Sequence, residues 1–201
     1  MNMRIGIDID GVLTDIEQWQ LDYASKFYYE NYNKIIVDYK GYETNEIFNT
    51  GQECDDLFWN KYFEEYSTDV KTREFASEII DKLKADGNEI YIITARGSSL
   101  SKFNDTTKLK ETEENVINWL NKNNIHYDKL IFSAEDKLAY CINNNIDLMV
   151  EDKTDNINKI STKIPVICFN ANYNEDCNGD NITRCFSWYD LYAKFIMIIN
   201  S

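Results

Sequence analysis

This sequence predicts an α/β fold: an open, doubly wound, mostly parallel sheet with a small helical insertion after its first strand. Three observations point there. Short apolar runs alternate with helix-period segments from about residue 74 onward. The stretch Ile5-Gly-Ile-Asp-Ile-Asp-Gly11 alternates like a strand but ends in two carboxylates and a turn-forming glycine. Residues 15–66, rich in aromatics and acids, carry helical rather than strand spacing. In open α/β sheets ligands bind outside the C-terminal strand ends, and that is where Asp8 and Asp10 fall. A central parallel strand is normally apolar throughout, so the two acids break the local rule and mark a site.

The insertion has apolar residues at Trp19, Tyr23 and Phe27, and again at Leu57, Phe58, Tyr62 and Tyr66, which predicts helices joined by turns at Gly41 and Gly51. The expected division is a core of residues 1–14 and 70–201 with a helical cap of residues 15–69. A helix over residues 74–85 follows from Phe75, Ile79, Ile80 and Leu83, with Gly87 as its stop. Asn88-Glu-Ile-Tyr-Ile-Ile-Thr94 is the second strand, and residues 95–108, polar and aperiodic, read as an exposed loop. A helix over 109–122, with Val116, Ile117 and Leu120 on one side, leads to the strand Lys129-Leu-Ile-Phe-Ser133. Helix 136–144, strand Ile146-Asp-Leu-Met-Val-Glu151, helix 156–161 and strand Pro165-Val-Ile-Cys-Phe169 continue the alternation. The only proline sits at a strand start, where a missing N–H does least harm. Residues 170–183 read as loop, and residues 188–199 as an amphipathic helix packing on the sheet.

Composition narrows the function classes. A chain of 201 residues with 43% hydrophobic content suits one globular domain with a modest insertion. Its net charge of −14 opposes binding to a nucleic-acid polymer, whose affinity comes largely from Lys and Arg. No apolar run reaches the roughly 18 residues of a membrane span, and the N-terminus lacks a signal-peptide pattern, so no membrane partner and a cytoplasmic location are expected. The 5 cysteines show no C-x-x-C pair and His126 is the only histidine, which argues against a structural zinc site. Cys141 and Cys168 fall in apolar segments and read as reduced core residues. Without a Ser or Cys motif beside it, His126 gives little support to nucleophilic serine or thiol chemistry.

Four segments place polar groups at the expected ligand face: Asp8-Ile-Asp10-Gly-Val-Leu-Thr14, Thr94 at the end of the second strand, Lys137 opening a helix, and Glu151-Asp152 ending the fourth strand. These motifs resemble those of the haloacid dehalogenase-like superfamily over nearly the whole core. The resemblance implies a Rossmann-like core and a phosphomonoester hydrolase acting through an aspartyl-phosphate. Asp8 would be the nucleophile, and Asp10 the acid that protonates the leaving oxygen and then the base toward water. Thr94, with the backbone N–H groups of Ala95 and Arg96, would hold a phosphoryl oxygen, and Lys137 would balance its charge. Lys129, Lys153 and Arg96 are alternative cations, and Arg96 could also clamp phosphate. The expected cofactor is Mg²⁺, bound by Asp8, the Asp10 carbonyl and Glu151 or Asp152, with the choice between those two open.

The narrower pattern is Ile93-Thr-Ala-Arg96, Trp119-Leu120, Asp147-Leu-Met-Val-Glu-Asp152, Cys168-Phe-Asn170 and Tyr173-Asn174. It looks like the pyrimidine-type 5′(3′)-deoxyribonucleotidases and their bacterial nucleotidase relatives. This implies a small phosphorylated substrate, a nucleoside monophosphate, with specificity in the cap. The alternatives are a phosphatase or mutase for a sugar phosphate, and a catalytically silent phosphate-binding module. Trp19, Phe27, Tyr28 and Tyr62 are candidates to stack on a base, although an aromatic helix stripe also describes a core.

Overall fold

The structure is a computed structural model that describes residues 2–98 and 106–200. Its elements in chain order are β1 (Arg4–Ile7), α1 (Ile16–Tyr32), α2 (Thr44–Phe48), α3 (Gln52–Asp69), α4 (Ala76–Ala85), β2 (Glu89–Ile93), α5 (Thr106–Lys122) and β3 (Lys129–Ile131). These are followed by α6 (Lys137–Asn143), β4 (Leu148–Glu151), α7 (Thr154–Ile160), β5 (Val166–Phe169), β6 (Ile182–Cys185) and α8 (Trp188–Ile199). The strands form one sheet in the order β3-β2-β1-β4-β5-β6, and every described pairing is parallel. From β1 the chain first builds outward through β2 and β3, then returns to lay β4 on the other side of β1. The strand order therefore switches between β1 and β4, which opens a crevice at their C-terminal ends.

Helices cover both faces of the sheet. On one face α4, α5 and α8 bury Ile79, Leu83, Trp119, Trp188 and Phe195 against Ile5, Ile7 and Val150. On the other, Cys141 of α6 and Ile157 and Ile160 of α7 close on Ile93, Met149 and Cys168. Each fully buried large side chain contributes about 1.5–3 kcal/mol, so the two faces together fix the orientation of the strand ends. Helices α1 to α3 build a separate aromatic core from Phe27, Tyr28, Phe48, Phe58 and Tyr62. The chain leaves the sheet at Thr14 and returns at Thr72, where the two segments pair antiparallel, and the Arg73 N–H donates to Leu13 O at 2.7 Å.

Three local readings differ from the expectation. Ile182–Cys185 is a sixth strand at the sheet edge, where a loop had been expected to run as far as residue 183; only Cys185 of the four is buried, so the run lacks a strong apolar signal. Helix α5 begins by Thr106, which shortens the expected 95–108 loop, and residues 99–105 of that loop lie outside the described residues. The β1 ladder stops at Ile7. Asp8 remains extended, its N–H donating to Val150 O at 3.1 Å, and residues Ile9–Leu13 then wind into one wide turn around Gly11.

Candidate active site

The site grows out of that wide turn. Gly11 sits at φ 79°, in the left-handed region that glycine adopts without strain, and a Cβ there would lie 1.9 Å from Asp152 Oδ2. Its absence lets the β1 turn close directly onto the end of β4. Asp8 is thereby set facing Glu151 and Asp152, and one carboxylate oxygen from each of the three lies within 4.8 Å of the others.

Lys137 is the cation that these acids share. Placed at the start of α6 and 3% exposed, its Nζ stands 2.6 Å from Asp8 Oδ2 and 2.8 Å from Glu151 Oε2. Burial opposes its charge, but the two carboxylates outweigh burial and raise its pKa. Of the other candidate cations, Lys129 bonds Asn144 Oδ1, Lys153 lies over the Tyr42 ring and Arg96 pairs with Asp10.

The two acids of the fourth motif differ in their surroundings. Glu151 Oε1 accepts the N–H groups of Asp152 and Lys153, each at 3.1 Å, and Oε2 accepts Lys137 Nζ and Asn156 Nδ2. Burial acts to raise its pKa, but Lys137 and these N–H donors outweigh that and lower it. On Asp152, Oδ2 accepts the Tyr173 hydroxyl, whereas Oδ1 is buried without a hydrogen-bond partner. Burial, then Glu151 and Asp8, push the Asp152 carboxyl well above its ordinary range. Burial likewise pushes Asp8 up to about 8, against the pull of Lys137.

Four carboxylates (Asp8, Asp10, Glu151, Asp152) thus face two cations (Lys137, Arg96) in a buried cleft. This excess of negative charge, the all-oxygen donor set and the unpartnered Asp152 Oδ1 fit a hard divalent cation. Asp152 is the acid with an oxygen to spare, and Glu151 is committed to Lys137 and the backbone.

Asp10 is held differently. Arg96, 6% exposed, donates from Nη2 to Asp10 Oδ1 at 2.6 Å and from Nε to Oδ2 at 3.0 Å, and the Tyr66 hydroxyl donates to Oδ1 at 2.6 Å. Burial acts to raise the Asp10 pKa, but the Arg96 guanidinium and these hydrogen bonds hold it below the ordinary carboxylate range. Thr94 is buried, and its Oγ1 accepts the Arg96 N–H at 3.1 Å, which leaves the hydroxyl hydrogen to donate elsewhere. The Ala95 side chain is exposed.

Sequence reasoning missed three tyrosines as site residues. Tyr66, at the end of α3, reaches Asp10. Tyr173 reaches Asp152, and the Nδ2 of its neighbour Asn174 donates to the Asp152 and Phe169 carbonyls, tying the post-β5 turn to the acidic loop. Tyr42, from the insertion, packs edge-on against Tyr173 with ring centroids 5.1 Å apart. Tyr42, Tyr173, Lys153 and Asp155 line a cleft of about 370 Å³ beside the acids. A larger cleft of about 610 Å³, at the two segments joining sheet and insertion, is lined by Asp15, Arg73 and Phe186 and by none of the motif side chains. Of the aromatic candidates, Phe27, Tyr28 and Tyr62 are at most 7% exposed and form the insertion's own core, whereas Trp19 is half-buried and lines the larger cleft. His126 bonds Asp81 on the surface, and all 5 cysteines are free thiols.

With this geometry in hand, comparison with known proteins is decisive. The family model described as 5′ nucleotidase, deoxy (Pyrimidine), cytosolic type C protein matches residues 2–200. The chain belongs to this family. A Bacillus subtilis (strain 168) protein named "Putative nucleotidase YqfW" is 30% identical over 194 residues, 94% of this chain and 91% of that one. Among solved structures, one titled "Putative beta-phosphoglucomutase from Bacteroides vulgatus" aligns with a TM-score of 0.63 at 14% identity, covering 99% of this chain and 89% of that one. A haloacid-dehalogenase-superfamily hydrolase, subfamily IA, variant 1, from Geobacter sulfurreducens PCA aligns with a TM-score of 0.56 at 14% identity over 96% of each chain. At such identities the solved structures establish the shared fold, while the family establishes a phosphatase of the nucleotidase type. No helix among the described residues is long and apolar enough to cross a membrane.

Proposed function

We propose that this phosphatase is a Mg²⁺-dependent 5′-nucleotidase that transfers the phosphoryl group of a nucleoside monophosphate to Asp8 before hydrolysing it. The observation that carries the reading is the buried meeting of Asp8, Lys137 and Asp152 at the β1/β4 crevice, with one Asp152 oxygen left unpartnered. Asp8 attacks phosphorus, forming a carboxyl O–P bond as the bond to the leaving oxygen breaks, and Asp10, ionised in the unliganded protein, passes to that oxygen a proton that it takes up with the substrate. Water then attacks the aspartyl-phosphate, Asp10 takes the water's proton, and inorganic phosphate and free Asp8 result. Lys137 offsets the charge that Asp8 and phosphate bring together. The Thr94 hydroxyl and the Ala95 N–H orient the phosphoryl oxygens, while the Arg96 N–H, donated to Thr94 Oγ1, fixes that hydroxyl.

The residues suited to hold Mg²⁺ are Asp8, Asp152 and the Asp10 carbonyl, with Glu151 positioning Lys137. When bound there, the ion supplies positive charge that keeps the acids ionised and polarises the phosphoryl group.

The insertion, residues 15–69, acts as a cap that supplies Tyr42 and Tyr66 to the cleft and selects the nucleoside portion. The family supports this substrate class, as does the aromatic cleft of Tyr42 and Tyr173 beside Asp152. Cytoplasmic action on free metabolites is consistent with the acidic chain. The test is phosphate release from nucleoside 5′-monophosphates and hexose phosphates, with Mg²⁺ and with EDTA. Hydrolysis of the nucleotides alone, abolished by EDTA, is expected; preference for hexose phosphates overturns the substrate, and full activity in EDTA overturns the metal.

A further inference from the structure

The Asp10 carboxyl is gripped from two bodies. Arg96 reaches it from the end of β2, in the sheet, while Tyr66 reaches it from α3, in the insertion. Both strong contacts, each 2.6 Å, fall on Oδ1, and Oδ2 has only Arg96 Nε at 3.0 Å. Arg96 therefore holds both oxygens, and Tyr66 adds a second strong donor on Oδ1. The Tyr66 hydroxyl also lies 2.8 Å from Thr14 Oγ1, in the segment that joins sheet to insertion. The single phenolic hydrogen is donated to Asp10 Oδ1, so the Thr14 hydroxyl donates to Tyr66.

The phenol has little freedom of its own. Tyr66 is 1% exposed, the Arg96 guanidinium lies 5.2 Å over its ring, and the Trp19 and Trp59 rings pack against it at 4.7 and 5.7 Å. Its position is thus the position of the insertion. We infer that Tyr66 is a positioning residue through which the helical insertion orients the Asp10 carboxyl toward the leaving oxygen. A displacement of α3 relative to the sheet withdraws one of the two strong donors on Oδ1 and leaves the carboxyl held by Arg96 alone. Proton transfer is thereby tied to the seating of the insertion. This rests on the reading of Asp10 as the acid.

The test is Tyr66→Phe, which keeps the packed ring and deletes one hydrogen bond to a charged group, an interaction worth roughly tenfold or more. The expected result is a fall of about tenfold in kcat/KM for a nucleoside 5′-monophosphate, whose alkoxide leaving group needs a proton. For p-nitrophenyl phosphate, whose leaving group needs none, kcat/KM should change by less than about twofold. Equal losses on both substrates, or no loss on either, overturn the inference. A crystal structure of the variant provides a readout independent of turnover: Asp10 should occupy more than one orientation, and an unmoved Asp10 refutes the positioning role. If the wild-type protein hydrolyses neither substrate, the phosphatase reading fails on its own account, and the Asp10 orientation still decides the role of Tyr66.

Discussion

Asp8→Asn should abolish turnover and yet, in EDTA, make the folded protein progressively more stable than wild type as pH rises. Asp8 is buried beside Glu151 and Asp10, and its carboxyl is pushed from an ordinary 3.8 up to about 8 despite the pairing with Lys137. Between those values the folded protein keeps a proton that the unfolded chain has lost, so wild-type stability falls as pH rises from about 4 to about 8 and stays low above. Each pH unit is worth about 1.4 kcal/mol, which puts the full loss on the order of 5 kcal/mol. The asparagine carries no charge and escapes that loss. It also presents an amide N–H₂ either to Lys137 Nζ or to the Ile9 N–H that now donates to Asp8 Oδ1 at 2.8 Å, and one unmatched donor costs about 1–3 kcal/mol at every pH. The variant is therefore expected to be the less stable protein near pH 4.5 and the more stable one, by about 2–4 kcal/mol, near pH 8.5. Urea unfolding at the two pH values in EDTA measures this. A stability difference that does not change with pH would refute the reading that burial and the neighbouring acids oppose the ionisation of Asp8.

The two acids of the fourth motif should separate. Asp152→Asn removes an acid whose ionisation burial, Glu151 and Asp8 all oppose, so above the ordinary carboxylate range it should raise stability in EDTA while raising the Mg²⁺ needed for half-maximal activity; an unchanged Mg²⁺ requirement would remove Asp152 from the ligand set. Glu151→Gln takes one of two carboxylates from buried Lys137 and should destabilise by about 3 kcal/mol in urea, near the lower end for breaking a buried pair because Asp8 remains. Gly11→Ala places a methyl group 1.9 Å from Asp152 Oδ2 at a left-handed φ, which itself costs about 1–2 kcal/mol, and should reduce Mg²⁺-dependent turnover well beyond its effect on melting temperature.

What could be read in the sequence and what could not divide along a physical line. Asp8, Asp10, Thr94, Glu151 and Asp152 could be picked out as candidates because a parallel sheet presents its strand ends to one crevice, where polar residues break the apolar pattern, whereas Lys137, at the start of a helix, stood out through its match to the superfamily motif. Strands β1, β2, β4 and β5 are apolar and buried almost throughout, which made them visible by the same rule; edge strand β6, with Thr183 and Arg184 at its centre, was not. Partnerships inside the site left no such trace. Arg96 and Asp10 are 86 residues apart in sequence and Tyr66 and Asp10 are 56 apart, so neither contact has a periodicity or a turn to announce it. The aromatic residues show the same division. Phe27 in α1 and Phe58, Tyr62 and Tyr66 in α3 lie on the helical spacings that predict buried stripes, and all four are buried. Spacing cannot report that the phenol of Tyr66, one turn beyond Tyr62, clears the insertion's core and meets a carboxylate of the sheet. A stripe that packs the insertion along most of its length thus meets Asp10 of the sheet at its far end, and this boundary is set by how the insertion seats against the sheet.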